Sequence, residues 1–123
     1  MKLILAIGVG SFIGGISRYL LSTYIQTKVM SGFPYGTLLV NIVGCFLIGL
    51  VFAFSLRGSL GHEWRLFLAT GVIGGFTTYS AYSYETLALM REAQYTAAFL
   101  YVGASLLLGL VATFLGMQVT KVL

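Results

Sequence analysis

Charge is what this sequence has least of. Only 8% of its 123 residues are charged, seven basic and three acidic, against about 25% in an ordinary soluble domain. So few charges cannot coat a water-soluble monomer, which excludes a soluble enzyme. The basic residues stand singly between apolar runs instead of forming a patch, so the net charge of +4 reads as the flanks of membrane spans and not as a nucleic-acid surface. The one cysteine, Cys45, has no partner for an intrachain disulfide. The one histidine, His62, cannot build a metal or haem site alone. Carboxylates are missing from the centre of every apolar run: Glu85 ends the third, and Glu63 and Glu92 lie in linkers. That absence argues against a proton-coupled carrier and against a cation pore with an acidic ring.

Apolar residues make up 59% of the chain, and the charges divide them into four runs. The predicted spans cover about 3–27, 33–56, 65–90 and 94–120, each near or above the length that crosses a bilayer. Met1-Lys2 followed by an apolar stretch has the look of a signal peptide. No small-residue cleavage site leads into a soluble domain, and more spans follow, so this stretch reads as the first span. Sixteen glycines against one proline suit close helix packing in lipid. The expected fold is therefore an all-α integral membrane protein, a single domain of four transmembrane helices. Four spans put both ends on one side with Lys2, Arg57, Arg65 and Lys121, leaving Lys28 and Arg91 opposite. This weak bias permits insertion in both orientations. A chain that inserts both ways can pair with an inverted copy of itself, so an antiparallel dimer is expected.

Three features within the spans carry polar chemistry. Arg18, in Gly14-Gly15-Ile16-Ser17-Arg18-Tyr19, either snorkels to the interface or is a fixed charge that holds helix ends together or attracts anions. Asn41 shares one face of the second span with Thr37 and Cys45; its amide either bonds across helices or donates to a passing anion. The run Gly71 to Glu85 holds adjacent glycines, then β-branched and hydroxyl residues, which is poor helix material at mid-span. It reads as a kinked helix or a broken one whose freed carbonyls can ligate a cation. The spacing of Gly71 and Gly75 also suits a small-residue helix contact. Beyond them Tyr79 and Tyr82 share a face beside Ser80 and Ser83, and Tyr101, Ser105 and Gly109 repeat in the fourth span. Aromatic edges carry positive potential and hydroxyls donate, so both sets suit an anion as well as ordinary packing.

These residues resemble the Fluc (CrcB) family of microbial fluoride channels along the whole chain. The likeness rests on Gly14 to Tyr19, on Gly36-Thr37-Leu38-Leu39-Val40-Asn41-Ile42-Val43-Gly44, and on Gly74-Gly75-Phe76-Thr77-Thr78-Tyr79-Ser80-Ala81-Tyr82-Ser83-Tyr84-Glu85. The resemblance implies a multi-pass protein of the cell inner (plasma) membrane, with the third helix broken mid-membrane. It also implies an antiparallel, dual-topology homodimer with two pores that export fluoride passively. A structural sodium ion would lie on the two-fold axis, held by backbone carbonyls of Gly74 and Thr77. Asn41 would be the polar pore residue, Tyr79 and Tyr82 would stand for two pore phenylalanines, and Ser80 and Ala81 would fall at pore hydroxyl positions. Thr37, Tyr101 and Ser105 would continue the polar track, with Arg18 and Glu85 near the pore ends.

The chain departs from the family's usual Thr-Thr-Phe-Ser-Thr-Phe-Ser, reading Thr-Thr-Tyr-Ser-Ala-Tyr-Ser. Each tyrosine keeps the electropositive ring edge and adds a phenolic O–H, and Ala81 removes a donor. Two other readings are open from the residues. A small multidrug-type exporter needs a carboxylate in the first helix, where Arg18 stands instead. A non-conducting or heterodimer-only subunit accommodates the altered pore positions. No nucleophile–base pair or metal cluster can be assembled, so the chain is not expected to be an enzyme.

Overall fold

The computed structural model describes all 123 residues, Met1–Leu123, as helices joined by short turns. Helix α1 spans Lys2–Val29, α2 Tyr35–Leu56 and α6 Tyr95–Val122. Each of these three is long and apolar enough to cross a membrane, where a helix satisfies its backbone within itself. The stretch between α2 and α6 is divided into shorter pieces. It opens with α3 (His62–Arg65), widens into a π-helix over Leu66–Ile73, and tightens again in α4 (Gly74–Phe76). Two extended residues then lead into α5, Tyr79–Arg91.

The extended residues are Thr77 (φ −82°, ψ 156°) and Thr78 (φ −147°, ψ 120°), whereas the neighbouring glycines stay helical. The reason is local. A Cβ on Gly75 would come within 2.6 Å of the Ser11 carbonyl oxygen, so this glycine serves close approach to α1 instead of unwinding the chain. Thr77 turns both its N–H and its hydroxyl onto the Ile73 carbonyl, at 2.9 and 3.0 Å, which closes the preceding turn. Thr78 then caps α5, its hydroxyl accepting the Ala81 N–H at 3.2 Å, as a threonine at a helix start does.

The helices associate in two tight pairs. In the first, α1 lies on the 62–76 rod through glycines of both: Gly10 meets Gly71, Gly14 lies against the backbone of Val72 and Phe76, and Gly75 lies against Ser11 and Gly15. A Cβ on Gly14 would fall onto the Val72 carbonyl oxygen. In the second, Gly49 of α2 and Gly116 of α6 lie against each other's helix backbone, at Thr113 and Phe46. Backbones this close gain dispersion contact along their whole length, the main attraction between helices in lipid. Leu38, Leu89, Ala98 and the fully buried Tyr101 form an apolar cluster that joins α2, α5 and α6. Phe12, Leu20, Phe99 and Phe114 point outward, an apolar exterior that suits lipid or another chain.

Candidate functional site

The interruption at Thr77–Thr78 is held from α2. The Asn41 side chain donates from Nδ2 to the Thr78 carbonyl at 3.0 Å and accepts the Thr78 N–H on Oδ1 at 2.8 Å. One amide thus replaces both hydrogen bonds that a helix would have given this residue. The N–H of Thr78 no longer returns to the Gly74 carbonyl, and the Thr77 carbonyl accepts no backbone N–H. From α1, Arg18 reaches the same place and donates from Nε to the Gly75 carbonyl at 3.3 Å. Gly44 leaves the space that the Thr77 methyl group fills.

A cavity of about 370 Å³ opens at the interruption. It is lined by Asn41, Gly74, Thr77, Thr78, Tyr79, Tyr82 and Ser105, with Cys45, Ile48 and Ile73 among its apolar walls. The rings of Tyr79 and Tyr82 are stacked, with centroids 5.7 Å apart and planes 22° apart. Tyr82 continues to Tyr101, whose ring centre lies 5.2 Å away. Tyr79 is 82% exposed, so one face of the pair is uncovered in a single chain.

A second polar group lies further along α2. Thr37 donates its hydroxyl to Oε1 of Glu85 at 2.7 Å, and Tyr101 donates its phenol to Oε2 at 2.8 Å. The carboxylate is thereby shared between α2 and α6, and no basic side chain pairs with it. It borders a separate cavity of about 520 Å³, lined by Ser22, Thr23, Gln26, Thr27, Thr37 and Glu85 with Gly32, Pro34 and Gly36 and no large apolar side chain.

Comparison with known proteins gives the family of the chain. The sequence model of the family described as "CrcB-like protein, Camphor Resistance (CrcB)" matches residues 5–117. This chain belongs to the CrcB family. Its relatives include proteins from two strains of Thermus thermophilus, both named "Fluoride-specific ion channel FluC". One is 50% identical over 112 residues, covering 91% of this chain and 88% of that protein. The other is 49% identical over 116 residues, covering 94% and 93%. A protein of Geobacter metallireducens with the same name is 44% identical over 122 residues, covering 98% of each. The CrcB family is one of ion channels, so the chain is a membrane protein and not an enzyme.

Within this CrcB chain, one cavity gathers Asn41, Gly74, Thr77, Tyr79, Tyr82 and Ser105. Thr37, Glu85 and Tyr101 form their own hydrogen-bonded group. Ser80 is exposed, its hydroxyl 3.3 Å from that of Thr78. Sequence reasoning does not assign Thr78, Gly44 or Gln26. Thr78 meets Asn41 through its backbone and Gly44 acts through a missing side chain, so neither contact advertises itself. Gln26 carries one signal, an amide in the last turn of α1 ahead of the Ser31-Gly32-Phe33-Pro34 turn.

Proposed function

We propose that this chain is a passive, fluoride-selective channel that exports fluoride across the cell inner membrane. The observation that carries the reading is its identity of 49% and 50% to the two Thermus proteins that bear that name. The chemistry around the interruption supports it. Fluoride is small and strongly hydrated, so a pathway must offer donors in place of water and hold the ion weakly enough to release it. Asn41 keeps one N–H beyond the one given to Thr78. The hydroxyls of Ser80 and Ser105 and the phenols of Tyr79 and Tyr82 are further neutral donors, and the ring edges add positive potential. Thr37 and Tyr101 already give their hydroxyls to Glu85. An anion takes those donors only by displacing the carboxylate, which makes Glu85 a competitor for the same hydroxyls.

The four-span reading makes Thr77–Thr78 a helix break at mid-membrane, and the functional unit an antiparallel, dual-topology homodimer with two pores. The uncovered face of Tyr79 is where an inverted second copy would complete the aromatic lining. A structural sodium ion fits the donor set at the break. No group of His, Cys, Asp or Glu could hold a metal, and the carbonyls of Gly74 and Thr77 are left without the bonds a continuous helix provides. Those hard oxygen donors suit an alkali cation. Its positive charge would offset the converging carbonyl dipoles and join two chains at the break.

The test is fluoride efflux from liposomes that hold only this chain, with chloride as the comparison ion. Fluoride efflux well above chloride efflux is expected. A folded dimer that moves neither ion would overturn the homodimeric channel and leave the heterodimer-only reading. Raising sodium at constant ionic strength should stabilise the dimer; no dependence would remove the ion from the break.

A further inference from the structure

We propose that Gln26, far from the interruption, is a positioning residue for the polar group of Thr37, Glu85 and Tyr101. The half-buried Gln26 amide spends its bonding groups on one turn of chain. Its Nε2 donates to the Ser31 carbonyl at 2.7 Å and to the Phe33 carbonyl at 3.0 Å, and its Oε1 accepts the Gly36 N–H at 3.1 Å. Both N–H bonds are used. The last turn of α1 is thus tied to both sides of Pro34 and to the first turn of α2.

The two ends of that tied segment each lead to Glu85. Gly36 precedes Thr37, whose hydroxyl lies 2.7 Å from one carboxylate oxygen. Phe33 lies edge to face with Tyr101, centroids 5.6 Å apart and planes at 78°, and Tyr101 donates to the other oxygen at 2.8 Å. A shift of the 33–36 turn therefore moves both hydroxyls relative to the carboxylate. The turn is otherwise fixed by packing, Gly36 against the Ser22 backbone of α1 and Phe33 against Tyr35 and the apolar cluster, so Gln26 is its one side-chain hydrogen-bond tie to α1. Met30 before the turn stands in the left-handed region at φ 48°, an uncommon place for a residue with a side chain. The remaining local bonds are those of Ser31 Oγ with the Phe33 N–H, of the Tyr35 N–H with the Phe33 carbonyl, of the Leu38 N–H with the Pro34 carbonyl and of the Met30 N–H with the Gln26 carbonyl. Gln26 also borders the polar cavity beside Thr37 and Glu85. The same side chain that holds the turn thereby faces the space an ion would cross to reach them.

The transport part of this inference rests on the channel reading, so its test has two arms on the full-length protein in lipid. In the first, Gln26→Leu should slow fluoride efflux by about tenfold, and Gln26→Glu, which keeps the acceptor for Gly36 and loses both donors, should slow it too. Combining Gln26→Leu with Thr37→Val should cost less than the product of the two single losses, because both act on one group. A multiplicative loss would overturn the inference, since a general weakening of the fold adds independently. In the second arm, amide hydrogen exchange over residues 33–38 should quicken by about tenfold in Gln26→Leu while residues 49–53 of α2 stay protected. Unchanged exchange at 33–38, or unchanged efflux despite faster exchange, overturns the assignment. If the unmodified protein carries no fluoride, the channel reading fails and the exchange arm alone decides whether Gln26 positions the turn.

Discussion

The two halves of the stretch from His62 to Arg91 are held in opposite ways. The 62–76 rod is fixed by backbone lying on backbone: Gly71 meets Gly10, Gly75 meets Ser11 and Gly15, and side-chain bonds to other helices lie near its ends, from Arg18 to the Gly75 carbonyl and from Arg65 to Ser55. Helix α5 has no such backbone contact. It is held by side chains, with Thr78 at its start bracketed by Asn41 and Glu85 in its middle bonded to Thr37 and Tyr101. Packing without polar groups is insensitive to charge and to ions, and it fails only when volume is added. Polar ties can be exchanged for another donor or acceptor. Both halves border the cavity, the rod through Ala69, Ile73 and Gly74 and α5 through Tyr79 and Tyr82, but the bonds an ion can replace belong to the second half.

The sharpest way to break this comparison is to disturb each half by its own weakness, volume in the first and lost polar partners in the second. In Gly14→Val, the new Cβ falls onto the Val72 carbonyl oxygen and close to the Phe76 N–H, both of them backbone. Neither can rotate away, so α1 must leave the rod. The expected cost is about 3 kcal/mol, at the upper end for overpacking. It should appear as loss of a monodisperse species in detergent gel filtration. A variant that elutes and melts as the unmodified protein does would show that the glycine contact is not what holds the first half.

Asn41→Ala probes the second half and should act differently. It leaves the N–H and the C=O of Thr78 without the partners they have now. An unsatisfied buried group costs about 1–3 kcal/mol. The effect is smaller than in Gly14→Val, because water or rearranged backbone can reach a site that opens on a cavity. Folding should survive with a lowered melting temperature, while fluoride efflux drops by about tenfold or more, in keeping with the positioning of donors in a narrow pathway. Normal efflux from a destabilised protein would make Asn41 a purely structural clamp.

Particular residues show how far the sequence could be read. The Gly71–Gly75 step was legible as a helix contact, and the sparse charges were enough for an all-helical membrane protein. The partners of these glycines on α1, Gly10 for Gly71 and Ser11 with Gly15 for Gly75, were not legible as partners, because nothing in one helix states the register of another. Composition placed a disturbance in the run from Gly71 to Glu85. It drew attention to the glycines, yet the extended residues are Thr77 and Thr78. Glycine loosens a helix only where nothing presses on it, and here α1 does. The π-helix over Leu66–Ile73 left no trace, since its residues are those of any apolar span. Asn41, Thr37, Glu85 and Tyr101 stood out singly as polar groups in apolar surroundings. Their grouping into two separate bonded sets depends on contacts across 16 to 48 residues of chain, which periodicity does not encode.

The smallest expected effect concerns how the second half ends. Helices α2 and α5 close with the same pair of bonds. Gly58 N–H reaches the Ser55 carbonyl and Ser59 N–H the Phe54 carbonyl; Ala93 N–H reaches Met90 and Gln94 N–H reaches Leu89. Both turns need a residue at positive φ, which is 73° at Gly58 and 59° at Ala93. Glycine takes that conformation freely, whereas a Cβ there costs about 1 kcal/mol. Ala93→Gly should therefore stabilise the protein by up to about 1 kcal/mol, less whatever entropy the freer unfolded chain gains. Gly58→Ala should destabilise it by a similar amount, and thermal melts in one detergent compare the pair directly. Efflux should not change in Ala93→Gly if α5 is held in place by Asn41 and Glu85. If efflux falls as stability rises, the strained turn at Ala93 is itself setting the position of α5, and the side-chain ties alone do not hold the second half.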